Sequence, residues 1–397
     1  MKVLFYRYGS ICEPFLLAAW EELGAEVTEL TCEVSNKNIE PSEVVQTVSR
    51  TLMDGNFSLV FSVNFFPTVS DVCNIFHIPY AGWTVDAPVM ELYSKSITNP
   101  CNYLFLFDRC QYQDIAPLNP GHVFYLPLAT DPAYMQSVIR DAAKSTNSTG
   151  YNRFYSDLSF VGSLYTEKCA YDKLSNPPEY LAGFLDGLMA AQLKVYGYYF
   201  IDEVLPDQVI ADFKEHFPGY YSPVDAPYLD DKTIISQLYI GNKISSLERV
   251  RLMKLLASHY SLDIYTASDT TEIPGIHNRG LAKTLTEMPL IFHNSTVNLN
   301  MTSKPIRSGI PLRIWDIMGC GGFLITNFQS EIPEYFTPGE NLEVYESEED
   351  LIDKCGYYLA HPDRAREIAQ NGLDLVQSRH TYRHRIEELL RTILEHK

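Results

Sequence analysis

The sequence predicts an α/β protein with two parallel sheets, each covered by crossover helices, and three observations carry this. Short apolar strands alternate with helical patterns through the N-terminal half, as in parallel sheets. A second strand-and-helix series begins at Leu158. The 397 residues, 46% hydrophobic and 13% aromatic, can fill two cores at about 100–200 residues per domain.

In the first half, Lys2–Tyr6 (KVLFY) reads as a strand, and Gly9-Ser10 as a turn. Residues 13–23 carry apolar side chains at helical spacing until Gly24 stops them. Strands at 27–30 and 59–63, with an amphipathic helix over 42–53 between them, continue the pattern. Residues 69–76 are helical, 80–85 extended, 103–107 (YLFLF) a buried strand, and 123–126 the last strand. Residues 132–152 are polar, and Lys144–Gly150 (KSTNSTG) is the most linker-like stretch in the chain.

The second half opens with the strand LSFVGS at 158–163. A mostly helical insertion follows over about 167–245. Strands are expected at 262–265, 290–292, 297–299 and 323–326, with helices at 248–258, 312–318, 348–360, 363–377 and 382–395. The expected domains are 1–135, 136–380 with the insertion, and a closing helix over 381–397.

Composition narrows the function. Lys and Arg number 31 against 50 Asp and Glu, a net charge of −19, which disfavours a nucleic-acid partner. Eight scattered cysteines without a Cys-x-x-Cys pair argue against a zinc site and a disulfide framework. MKVLF meets Arg7 too soon to be a signal segment, and no apolar run approaches the roughly 20 residues of a membrane helix. A cytoplasmic protein is expected, without an integral membrane segment.

The stretch Asn298–Gln329 (NLNMTSKPIRSGIPLRIWDIMGCGGFLITNFQ) is the most informative. A strand enters a loop containing Lys304, Arg307, Ser308, Gly309 and Ile310, and Pro311 stands where a helix can begin. That helix start offers N–H groups to a phosphate. Arg313 and Asp316, three apart on one face, suit phosphate and ribose hydroxyls. Gly319, Gly321 and Gly322 would let backbone approach a ligand. The alternative is a surface ion pair followed by a glycine helix cap. Elsewhere, Gly162-Ser163 ends a strand, Tyr265 could stack on a base or fill the core, and Arg249 adds a cation. In the first domain Gly9 and Ser10 form a loop on the cleft side, Asn64 is a further candidate, and Asp86 ends a strand. Asp86 could accept a proton, bind sugar hydroxyls or cap a turn before Pro88. The run from His380 to His384 reads as the exposed face of the last helix.

IPLRIWDIMGCGGFLITNFQ and the segment from LIDKCGYYL to IEELL resemble the C-terminal region of CgeB-like, spore-maturation-type glycosyltransferases, relatives of glycosyltransferase family 4. FYRYGSICEP, FSVNFFP, GWTVDAPVMELYS, YLFLFDR and YLPLATD stand in the order expected for their N-terminal half. The resemblance implies the GT-B fold: two Rossmann-like domains, a nucleotide-sugar donor in the second, and a C-terminal helix crossing back to the first. It assigns Asp316 to the ribose, residues 309–311 to the sugar and diphosphate, and Gly162-Ser163 to a loop whose N–H groups meet the diphosphate. The family's first signature glutamate falls at 308, where this chain has Ser308, which leaves sugar identity and stereochemistry open. Asp86 stands where the family often has a histidine.

No Asp-x-Asp, Gly-x-Gly-x-x-Gly or Walker A motif occurs, which disfavours metal-dependent GT-A enzymes, dinucleotide enzymes and ATPases. The expected activity is metal-independent transfer, retaining as in the family, without a cofactor, from a UDP-sugar or similar donor to a protein or cell-surface polymer. Catalytic roles fall to Asp86 and Arg313. The alternatives are a non-catalytic nucleotide-sugar or glycan binder of the same fold, and a nucleotide-sugar epimerase.

Overall fold

The computed structural model describes residues 1–144, 153–167 and 169–396, and its internal contacts divide the chain into two units. The linker-like stretch 145–150 lies outside the described residues. The first unit comprises Met1–Ala129, Pro223–Asp230 and the segment from His380 onward; the second holds Thr130–Ser222 and Asp231–Arg379.

The first unit contains a six-stranded parallel sheet in the order β2-β1-β3-β4-β5-β6. Its strands are β1 (Lys2–Tyr6), β2 (Glu26–Leu30), β3 (Leu59–Val63), β4 (Tyr80–Trp83), β5 (Asn102–Leu106) and β6 (Val123–Tyr125). All five residues of β3 and β5 and all four of β4 are buried, as continuous apolar runs in a sheet covered on both faces require. Helix Pro41–Asp54 buries Val44, Val48 and Leu52, one stripe at a spacing of four. Helix Tyr382–Glu395 packs in this unit: the Tyr382 ring stacks on Phe15 and meets Trp83 edge-on. In the expected exposed run at its start, His380 and Tyr382 are instead buried, while Arg383 is exposed. Arg385 donates to the carbonyls of Pro127 and Leu128 at 2.8 and 3.3 Å and meets His380 at 2.6 Å. Backbone oxygens at the strand exit need a donor, and this guanidinium supplies it.

The second unit has a six-stranded parallel sheet in the order β12-β11-β10-β7-β8-β9. These are β7 (Ser156–Val161), β8 (Leu262–Tyr265), β9 (His277–Asn278), β10 (Ser295–Asn300), β11 (Leu324–Asn327) and β12 (Glu343–Tyr345). Relabelled within the unit, this is the doubly wound order 6-5-4-1-2-3, and its direction reverses between β7 and β10. Leu158, Phe160, Leu262, Ile264, Val297, Leu299 and Ile325 form the core against Leu252, Leu256 and Ile368. Between β7 and β8 lie helices Glu179–Gln192 and Asp207–Glu215, then a π-helical run, Ile234–Gly241, continuous with helix Asn242–His259.

Two expected elements differ. The polar stretch from 132 is a helix, Pro132–Lys144, with Met135 and Ile139 buried; a narrow apolar stripe on a charged helix leaves average composition polar. Residues 290–292 belong to helix Met288–Asn294 rather than a strand. Met288–Phe292 are all buried, and a short continuous apolar run has no period to separate the two forms.

Candidate functional site

Ligands of doubly wound sheets bind at the carboxyl ends of strands beside the switch point. In the second unit these are the exits of β7 and β10, and one side chain joins them. Arg249, buried, donates through Nη1 to the Ser163 carbonyl at 2.6 Å and through Nη2 to the Met301 carbonyl. Its guanidinium lies 4.5 Å from the Tyr165 ring centroid and 5.6 Å from that of Phe160. Burial lowers its pKa, with nearby Tyr165 and Glu248 opposing, and an arginine stays charged through such a shift. Beside it, Lys304 Nζ binds Glu248 Oε1 at 2.7 Å and lies over the Tyr196 ring. Among the described residues, Arg249 Nε, Glu248 Oε2 and the Tyr345 hydroxyl are buried without a hydrogen-bond partner. Unsatisfied buried polar atoms are expensive, and three of them grouped beside these strand exits call for a partner.

The β7 exit loop is tightly bonded. Gly162 N–H donates to the Tyr265 carbonyl at 3.2 Å, Leu164 N–H to Ser268 Oγ at 2.8 Å, and Tyr165 N–H to Ser163 Oγ at 2.8 Å. The expectation that these N–H groups point at a diphosphate is therefore corrected for 162, 164 and 165. Glu167 accepts from Ser163 Oγ at 2.7 Å and Ser268 Oγ at 2.8 Å. Burial disfavours its charge, but these hydroxyls outweigh it and hold its pKa below the usual value.

The β10 exit loop hangs on the segment after β11. Gln329 Nε2 donates to the carbonyls of Ile306 and Gly309, at 3.1 and 3.3 Å, and Ser308 Oγ donates to Glu331 Oε1 at 2.7 Å. Ser308 and Glu331 are both buried, so a carboxylate does stand beside position 308, carried on another loop. Arg307 pairs with Asp202 at 3.3 Å, and Ile310 lends its carbonyl to Trp315 Nε1 at 3.2 Å.

In helix Leu312–Gly319, Arg313 packs over Phe292 and donates to Met288 Sδ at 3.5 Å. Asp316 accepts from Thr130 Oγ1 at 3.2 Å. Burial pushes the Asp316 pKa up from 3.8 to about 6, with Arg313 and Thr130 drawing it down. Two of the glycines at the end of this helix are crowded by their neighbours. A Cβ on Gly322 would meet the Phe292 carbonyl at 2.5 Å, and one on Gly319 would meet Thr130 Oγ1 at 2.8 Å. Gly321, at φ 66°, ends the helix, with Gly322 N–H bonded to the Ile317 carbonyl. Both precede β11 and so lie at the amino edge of the sheet, opposite the strand exits. They serve packing and capping, which corrects their assignment to the donor. Tyr265, buried at the end of β8, lines a pocket of about 300 Å³ with Arg153, Phe154, Arg279, Leu281 and Glu287.

In the first unit the direction reverses between β1 and β3, and the candidates near these exits converge. Asn64 Nδ2 donates to the Tyr8 hydroxyl at 2.9 Å and to Asp86 Oδ2 at 2.8 Å. Buried Glu13 accepts the N–H groups of Tyr8 and Gly9, at 2.9 and 3.0 Å, fixing the β1 exit loop. Ser10 bonds to Tyr8, whose pKa rises through burial and then the Asp86 charge. Glu331, Gln329 and Glu167 were not singled out from sequence. A carboxylate four residues past β11 is the one signal that could have raised Glu331.

Residues 249–391 match the model of a family described as glycosyl transferase-like. No curated protein matches the chain. Among solved structures, Anabaena HepE in complex with UDP and glucose is similar at TM-score 0.52 and 10% identity, over 99% of each chain. A UDP-forming α,α-trehalose-phosphate synthase from Burkholderia vietnamiensis gives 0.53 and 9%, over 98% of this chain and 96% of its own. Sucrose-phosphate synthase from Thermosynechococcus elongatus gives 0.51 and 10% over 100% of both. The fold is therefore that of the GT-B glycosyltransferases. Among the described residues no helix is long and apolar enough to cross a membrane.

Proposed function

We propose that this protein is a glycosyltransferase of the CgeB-like kind, moving a sugar from a UDP-sugar to a hydroxyl of a protein or cell-surface polymer. The observation that carries it is the buried Arg249 guanidinium joining the exits of β7 and β10 at the switch point of the second sheet. There it supplies the positive charge a leaving diphosphate needs, in a site where burial strengthens electrostatics. The start of helix Leu312–Gly319 adds N–H groups, and Asp316 takes the ribose. The first unit holds the acceptor. Its hydroxyl oxygen bonds to the anomeric carbon as the bond to the UDP oxygen breaks, and its proton passes to the Asp86 carboxylate. UDP leaves carrying the electron pair, and the charge is met by Arg249 and Arg313 without a metal.

Thermal-shift titration with UDP and UDP-glucose, followed by an assay of UDP release in EDTA, tests this. Binding and release are expected; no shift with UDP-, GDP- or dTDP-sugars would rule the reading out. Ser308, at the family's glutamate position, favours a second reading in which the fold binds a nucleotide-sugar without turnover. Binding without UDP release in the presence of acceptor would select it.

A further inference from the structure

The polar cluster at the switch point of the first sheet has a geometry that selects among acceptors. Tyr8 follows β1, Asn64 follows β3 and Asp86 follows β4, so three strand exits meet through one carboxamide. Asn64 has φ 62°, a left-handed conformation that asparagine tolerates better than most side chains. Gly82 on β4 permits it: a Cβ there would stand 3.1 Å from the Asn64 carbonyl oxygen. The carboxamide cannot be reversed without losing a bond, because Oδ1 accepts the Val85 N–H at 2.9 Å. Its two hydrogens must then go to Tyr8 and Asp86.

The result is a matched pair. Asp86 is exposed and its carboxylate only accepts, while Tyr8, with Asn64 and Ser10 bonding to its oxygen, keeps its proton to donate. Both partners lie within 2.9 Å of one nitrogen, so acceptor and donor stand side by side. Two adjacent hydroxyls, one donating and the other accepting, complement that pair. Neighbouring hydroxyls on a sugar ring present this arrangement; a lone serine, threonine or tyrosine hydroxyl does not.

We infer that the acceptor is a carbohydrate, held by a vicinal diol between Asp86 and Tyr8, with Asn64 as the positioning residue that sets both. This rests on the proposed glycosyl transfer and narrows its acceptor from protein or polymer to glycan.

The test uses full-length protein, UDP-glucose, a panel of methyl hexopyranosides and short Ser/Thr/Tyr peptides. At least one glycoside is expected to raise UDP release several-fold over the water background, and the peptides none. Asn64→Gly keeps the left-handed backbone and removes the amide. It should lower glycoside-stimulated release at least tenfold while leaving UDP affinity unchanged, with the lost bonds costing only a few degrees of melting temperature. In an Asp86→Asn background the same change should have a smaller further effect, because only the part that acts through Tyr8 remains. Saturation-transfer NMR reads glycoside binding without turnover, and Tyr8→Phe should weaken it. Peptide stimulation without glycoside stimulation, no glycoside bound in NMR, or an Asn64→Gly protein that behaves as wild type would overturn the inference. Absence of UDP binding would instead strike the donor reading, while the NMR arm would still judge this one.

Discussion

The two parallel sheets face the same topological situation and equip it differently. At the switch point of the second, a buried cation ties two strand exits together, and Glu248, Lys304 and Tyr345 crowd beside it with atoms left unpartnered. At the switch point of the first, a neutral carboxamide ties three exits, and the carboxylate it orients is exposed. The diphosphate of the proposed donor carries charge that must be met where water is scarce, and a buried guanidinium suits that need. An acceptor hydroxyl carries no charge, so a hydrogen-bonding pair open to solvent suits it. The chain's net charge of −19 makes the contrast sharper, since cations must be concentrated where they are needed.

The largest expected effect is at the buried cation. Arg249→Met strips the donors from the Ser163 and Met301 carbonyls and leaves buried Glu248 to rely on Lys304 for its counter-charge. Urea unfolding should show a loss of about 3–5 kcal/mol, and calorimetry should show no UDP binding. Arg249→Lys keeps charge but cannot span both carbonyls, so it should fall between. The matching change in the first unit, Asp86→Asn, should leave stability and UDP affinity alone and lower kcat about 100-fold or more.

Asp316→Asn should do the opposite to stability. Burial raises the Asp316 pKa to about 6, so the folded state keeps a proton that the unfolded chain releases from about 3.8 upward. Stability therefore falls as pH rises between those values and stays reduced above them. The amide removes that cost, and a gain of up to roughly 3 kcal/mol is expected at pH 7.5, vanishing near pH 3.5. UDP affinity should drop in the same protein if the carboxylate holds the ribose. The smallest effect is Ser308→Ala, about 1 kcal/mol by thermal unfolding, from the lost bond to buried Glu331.

Much of the fold was legible because strands such as β3 and β8 are short, apolar and flanked by turn residues, so that Leu59–Val63 and Leu262–Tyr265 could be bounded to the residue. Met288–Asn294 was not, since uniform burial erases periodicity. Among site residues, Lys304 was visible as a cation in the loop after a strand, and Arg249 only as a further cation on a helix. Glu331 was hidden because its meaning is a distance to Ser308, 23 positions away, which no local pattern encodes. Gly321 and Gly322 misled for a related reason: a glycine demanded by a left-handed turn or a neighbouring carbonyl looks the same in sequence as one demanded by a ligand. Asn64 was visible only as a strand-end residue; its left-handed backbone and three bonds are tertiary facts.

A crystal structure of the protein soaked with UDP-glucose bears most directly on the donor assignment. The diphosphate is predicted against the exits of β7 and β10, with a phosphate oxygen within hydrogen-bonding reach of Arg249. Nucleotide bound instead beside Tyr8, Asn64 and Asp86, with the exits of β7 and β10 bare, would contradict it.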